Sequence, residues 1–128
     1  MAVLGANAHA AAHALATAPA AQKRAAIEAA ADALAAARDT ISAANEQDMT
    51  QARANNISAA MLDRLALDGG RIDDMIKGLR EVAALDDPVG RILDERTRPN
   101  GLRIQRVSVP VGVIGIIYES RPNVTADA

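Results

Sequence analysis

From Val3 to Ala83 alanine-rich segments with apolar stripes predict a series of helices, and in the last of them the apolar residues recur three and four positions apart. Residues 3–16 are alanine-dominated and helical by propensity. Thr17 as N-cap, with Pro19 in the first turn, predicts a second helix running to about Arg38. Its apolar stripe holds Ile27, Ala31 and Leu34, and Arg24, Glu28 and Asp32 lie on another face. Asp39 or Thr40 is the expected cap of a third helix to about Ala54, with Ile41, Ala44, Met49 and Ala52 inward and Asn55-Asn56 as its end. Ser58 caps a short helix through Leu62 to Leu65, and Gly69-Gly70 breaks the chain again. The clearest helix follows, with Ile72, Met75, Ile76, Leu79, Val82 and Ala83 on one face. Asp73 and Asp74 are placed in its first turn, where negative charge suits the helix dipole. Asp86-Asp87-Pro88 closes it, because a residue before proline is pushed out of helical conformation.

After Pro88 the period changes. Val89–Thr97 and Leu102–Val109 alternate, and Arg98-Pro99-Asn100-Gly101 between them carries the Asn-Gly hairpin signal. The expectation is an antiparallel hairpin with one polar face. Arg91, Arg96, Arg98, Arg103 and Arg106 concentrate there, with Asp94 and Glu95 interleaved. That mixture favours a solvated or subunit-contact face over an anion site. Pro110 ends the ladder because it has no N–H to donate. Val111 to Tyr118 is then an uncharged, Val/Ile-rich run with Gly112 and Gly115 inside it. Such a run reads as a strand buried on both faces of a parallel sheet, hence an α/β fold. Ligands in these folds sit outside the carboxyl ends of the strands. The polar cluster Glu119, Ser120, Arg121, Asn123 and Thr125 stands at that end. The glycines do not form G-x-G-x-x-G, so they carry no dinucleotide claim alone.

Composition narrows the chemistry. Half of the 128 residues are hydrophobic, but alanine dominates and Tyr118 is the single aromatic residue, so a core is thin. A net charge of −2 gives no electrostatic case for nucleic acid or an anionic membrane surface. The absence of cysteine excludes a disulfide, a thiolate zinc site and a cysteine nucleophile within these residues, and fits a cytoplasmic protein. The stretch Met1 to Ala21 lacks a basic n-region and reads as helix, not signal peptide, and no stretch reads as membrane-spanning. His9 and His13 share a helix face, but no third ligand suggests itself, and no metal is expected.

The stretch Pro110 to Thr125, Pro-Val-Gly-Val-Ile-Gly-Ile-Ile-Tyr-Glu-Ser-Arg-Pro-Asn-Val-Thr, resembles the start of the cofactor-binding domain in gamma-glutamyl phosphate reductases. This family is also called glutamate-5-semialdehyde dehydrogenase and lies within the aldehyde dehydrogenase superfamily. Ala60 to Leu67, Asp86 to Gly90, Asn45 to Asp48 and Ala52 to Asn55 look like the same family at matching spacing, so the resemblance covers essentially the whole chain. Tyr118 to Asn123 is specific to this branch, whereas other branches usually show Pro-Trp-Asn there. Arg-Pro-Asn and Met61 to Leu67 therefore disfavour another dehydrogenase of the superfamily.

The resemblance implies an aldehyde-dehydrogenase-like α/β fold and a longer chain. Residues 1–88 would be its N-terminal helical region, 89–109 a hairpin contributing to homo-oligomerisation, and 110–128 the start of the NADP-binding domain. It implies NADPH-dependent reduction of L-glutamyl 5-phosphate, a small acyl phosphate, to L-glutamate 5-semialdehyde and phosphate in L-proline biosynthesis. A cysteine thiolate would displace phosphate and hydride would reduce the thioester. With no cysteine, these residues alone are expected to be inactive, and to fold poorly because the last strand lacks partners. By position, Asn123 matches the oxyanion donor, and Glu119, Ser120 and Pro122 match positions whose backbone lies near the cofactor. Arg121 would contact the acyl phosphate or the glutamate carboxylate, since guanidinium suits bidentate anion binding. From residue type alone, Asn123 reads as a turn asparagine and Arg121 as a surface arginine beside Glu119. The alternative function is a non-catalytic, alanine-rich helical interaction module.

Overall fold

The helical period is realised in a computed structural model that describes residues 2–119 and 121–127. Helices α1 (Ala2–Thr17), α2 (Ala20–Ala36), α3 (Arg38–Ala54), α4 (Ala59–Leu65) and α5 (Gly69–Ala83) precede strands β1 (Ile92–Thr97) and β2 (Arg103–Val107) and a final turn of helix, α6 (Val124–Asp127). The chain divides into two compact units, Met1–Lys23 with Asp86–Gly115, and Arg24–Leu85 with Ile116–Ala128.

Several helix starts differ from expectation, each for a local reason. Thr17 stays in α1, and the Pro19 carbonyl accepts from Gln22 N–H (2.9 Å) and Lys23 N–H (3.2 Å), so Pro19 itself stands before the first turn of α2. Helix α3 begins before Asp39 and Thr40: Ala37 occupies its N-cap without a side-chain bond, and Asp39 falls in the first turn. Gly69 and Gly70 open α5 instead of separating it, because Asp68 caps the helix by accepting from Arg71 N–H at 2.8 Å. Asp73 and Asp74 are therefore beyond the first turn, and the Asp73 carboxylate pairs with the Arg38 guanidinium instead of a helix end.

The expected stop of α3 is present in full. Asn56 adopts φ 54°, its N–H bonds Arg53 O (3.0 Å), and Ile57 N–H bonds Ala52 O (3.1 Å). These bonds satisfy carbonyls the helix leaves open, and asparagine tolerates the left-handed conformation they need. Ser58 caps α4 as expected, accepting from Met61 N–H at 3.4 Å.

The core of the helix-rich unit is small. Ala31 of α2, Leu67, and Ile72, Met75 and Ile76 of α5 are buried together, with Leu34, Ala35, Ile41, Leu79 and Ala126 packed against them. Two expected inward residues, Ala44 and Val82, are exposed. Among the described residues, Ile72 is the one large side chain buried completely. Ile72→Ala is expected to cost about 2–5 kcal/mol, read as a lowered denaturant midpoint, because so thin a core has little material with which to fill the void.

In the hairpin unit β1 and β2 pair antiparallel, Asp94 opposite Arg106 and Thr97 opposite Arg103, with a bulge between Ile92 and Asp94. Asn100-Gly101 works together with Pro99. Gly101 N–H bonds Arg98 O (2.9 Å), Gly101 takes φ 83°, and Arg98 N–H bonds Leu102 O (2.9 Å). The hairpin has charges on both faces, not one. Asp94 and Glu95 are neighbours in the strand and point to opposite faces, so Arg96–Asp94 (2.9 Å) and Arg103–Glu95 (3.5 Å) pair on opposite sides.

Val111 to Tyr118 departs most from the expected buried strand. It makes no sheet pairing among the described residues, and each of its side chains is exposed. Gly112 at φ 95° turns the backbone out of strand conformation, and β1 and β2 are the only paired strands described. A parallel strand is held by neighbours on both sides, which these residues do not supply.

Lys23 Nζ donates to Asp87 at 2.7 Å, and Asp87 also accepts from Val89 N–H at 2.9 Å. The lysine first, and then the backbone N–H, hold the Asp87 carboxyl below its ordinary value. A lowered carboxyl pKa stabilises the fold above the ordinary carboxylate range, and that stability is lost as pH falls through the lowered value. Asp87→Asn is accordingly expected to lower the melting temperature at neutral pH. The difference from wild type should vanish on acidification below the carboxylate range.

Candidate functional site

The residues after the apolar run are set by one turn. Pro122 presets the backbone, Val124 N–H bonds Arg121 O (3.1 Å), and Ala126 and Asp127 N–H bond Asn123 O (3.0 and 3.1 Å). Tyr118 Oη and Thr125 Oγ1 share a hydrogen bond at 2.8 Å, tying the run to α6. Ala126 anchors α6 against the buried cluster around Ile72.

The Asn123 side chain does not close its own turn, as a turn asparagine would. Its Nδ2 donates to Asp127 Oδ2 at 2.7 Å. A carboxylate only accepts, so Asp127 fixes which end of the amide is nitrogen. One N–H is used in that bond, and the second has no acceptor among the described residues.

Opposite this turn, the α4–α5 junction is built by long-range polar contacts. Asn45 of α3 donates to Leu65 O (2.9 Å) and accepts from Leu67 N–H (2.8 Å), satisfying backbone that no helix covers. Arg71 donates to Ala66 O (2.8 Å), to Asp63 O and to the Asp63 carboxylate (2.7 Å), which holds the end of α4 against the start of α5.

A cleft of about 410 Å³ lies between the junction and the 121–127 turn. Ala66, Leu67 and Met75 form its apolar part. Arg64, Arg71 and Arg121 line it with positive charge, and Asp63, Asp74 and Asp127 with negative charge. Asn123 faces the same space. Among the described residues, Arg71 is engaged by Asp63, and Asp127 by Asn123, while Arg64, Asp74 and Arg121 make no ion pair.

Of the residues expected from sequence, Arg121 and Asn123 are brought together in this cleft. Pro122 is half-buried within the turn, and Glu119 is exposed and outside the cleft lining. Ser120 lies outside the described residues. The sequence reading missed Arg64, Asp74 and Asp127. Asp127 had a signal, since it follows Asn123 by four positions in a helical turn. Arg64 and Asp74 had none, because only the fold of α4 and α5 carries them to the turn. No helix among the described residues is long and apolar enough to cross a membrane.

No protein-family profile matches the chain. It is 58% identical over 125 residues to a gamma-glutamyl phosphate reductase of Rhizorhabdus wittichii, covering 98% of this chain and 29% of that relative. The crystal structure of gamma-glutamyl phosphate reductase from Thermotoga maritima superposes with a TM-score of 0.89 at 46% identity, covering 93% of this chain and 29% of that one. The enzyme of the same name from Saccharomyces cerevisiae gives 0.86 at 36% identity, over 94% and 31%. The chain thus spans less than a third of the relatives it matches. Its helices and two-stranded sheet have the fold of the N-terminal part of these enzymes.

Proposed function

From a chain that is similar over nearly its whole length to the N-terminal part of gamma-glutamyl phosphate reductases, we propose that the protein carrying it reduces L-glutamyl 5-phosphate to L-glutamate 5-semialdehyde, with release of phosphate, in L-proline biosynthesis. The similarity in sequence and backbone together is the observation that carries this reading. No such observation favours a non-catalytic helical interaction module.

Within that reaction Asn123 is the oxyanion donor, its amide oriented by Asp127. Arg121, in the same cleft, receives an anionic group of the substrate. The nucleophilic cysteine comes from outside residues 1–128, which contain none, so these residues alone are inactive. Residues 1–88 are the helical region, 89–109 an oligomerisation element and 110–128 the start of the cofactor domain. The exposed Leu93 and Ile104 of the hairpin suit contact with a second copy. The acyl phosphate is a small-molecule partner, and a biosynthetic enzyme of this kind works in the cytoplasm.

NADPH, when bound, supplies the hydride. The described residues do not by themselves form a place for it: Val111 to Glu119 is exposed along its length, and α6 is only four residues long. Glu119, Ser120 and Pro122 are assigned to the cofactor by their position in the motif, and no step is drawn through them.

The test is to express the full reading frame containing these residues and supply L-glutamate 5-semialdehyde, NADP and inorganic phosphate. NADPH formation that requires phosphate is expected. Its absence, with the other two components present, overturns the reading.

A further inference from the structure

We infer that the cleft reads the amino-acid end of the substrate, with Asp74 receiving the α-ammonium, Arg64 the α-carboxylate, and Arg121 left for the acyl phosphate. This rests on the reading of the reaction given above and goes beyond it by assigning two residues that no motif marks.

The argument is one of charge and commitment. The proposed substrate carries one cation and two anionic groups on a short, flexible chain. Six charged side chains line the cleft. Arg71 and Asp63 pair with each other at 2.7 Å, and Asp127 accepts from Asn123 at 2.7 Å. Among the described residues, Arg64, Asp74 and Arg121 remain without an ion pair. Two cations and one anion form the complement of the substrate. An anionic ligand without an ammonium, such as a dinucleotide pyrophosphate, would face Asp74 with like charge.

The placement is also prepared in advance. Arg64 sits in the last turn of α4, whose end Arg71 binds through Asp63 O and Ala66 O, and Asn45 holds the adjoining backbone at Leu65 and Leu67. Asp74 lies on α5 beside the buried Met75 and Ile76. These contacts fix the backbone that carries Arg64, so binding at this side orders side chains and not the chain itself. The cleft, about 410 Å³, is within the range of small-molecule sites.

The experiment uses the full-length enzyme with saturating NADP and phosphate. It compares kcat/KM for L-glutamate 5-semialdehyde with that for glutarate semialdehyde, which keeps the carboxylate and lacks the ammonium. Asp74→Asn is expected to lower kcat/KM about 10- to 100-fold for the first, as for a lost charge-assisted bond, and to leave the second within about threefold. Retained activity on the second substrate shows that the variant is folded. Arg64→Gln is expected to lower both, with Arg64→Lys recovering part of each. Comparing each variant with wild type on the same substrate cancels the share of glutamate semialdehyde held in cyclic form. Equal losses on both substrates for Asp74→Asn, or no loss on either, overturn this assignment while leaving the reaction standing. A wild-type enzyme inactive on L-glutamate 5-semialdehyde overturns the reaction and the assignment together.

Discussion

On the proposed reading of Asn123 as oxyanion donor, Asn123→Ala in the full-length protein is expected to lower kcat roughly a hundred- to a thousand-fold, the usual cost of removing one such donor. KM for the acyl phosphate should change little, because the lost bond matters only once negative charge has developed on the oxygen. The geometry sharpens this expectation. The amide nitrogen has two N–H groups, and Asp127 takes one at 2.7 Å. The carboxylate cannot donate, so it holds the amide with its nitrogen toward the helix end and its remaining N–H free to serve as donor. Asp127→Ala removes this restraint but keeps the donor, and should cost about tenfold, well short of the loss from removing a donor outright. A side chain that merely shaped the turn would behave differently: its loss would lower stability and leave kcat per folded enzyme nearly intact. Kinetics of the two variants, normalised to folded protein, separate the cases.

Residues 1–128 produced alone are expected to self-associate. Val111 is 85% exposed, Ile114 67% and Ile117 103%, in a run without charge. Unpaired backbone beside apolar side chains is a template for pairing with another chain. The helices should still form, since the buried cluster around Ile72 draws on α2 and α5 and does not depend on the run. Helical circular dichroism should therefore persist while light scattering reports oligomers. Replacing Ile114 and Ile117 by lysine should restore a monomer without loss of helix. A monomeric wild-type 1–128 at high concentration would contradict the expectation.

The helix order and most helix limits were legible because they depend on local chemistry. Ser58 caps α4 and Asn56 stops α3 through bonds spanning a few residues. Where the structure differs, a nearby group competes for the same role. Pro19 stands where Thr17 is expected, and Asp68 starts α5 at the glycines expected to break the chain. Val82 shows a different limit. Helical spacing assigns it to the inner face, but it is 53% exposed while Ala83, the next residue along the helix, is buried, so the covered face is narrower than the spacing implies. The hairpin's Asn-Gly signal located the turn, while the adjacent acids Asp94 and Glu95 put charge on both faces, and the bulge after Ile92 has no dependable mark in one strand alone.

By itself, then, the sequence determined the run of helices, the hairpin and the motif holding Arg121 and Asn123, because period, capping and turn chemistry act between neighbours. Only the tertiary structure decided what stands opposite that motif. Arg64 and Asp74 reach the cleft through the junction that Asn45 and Arg71 build across long sequence separations. It also decided the state of Val111 to Tyr118. Burial of a parallel strand depends on the strands beside it, and residue pattern alone records a strand's preference for neighbours without supplying them.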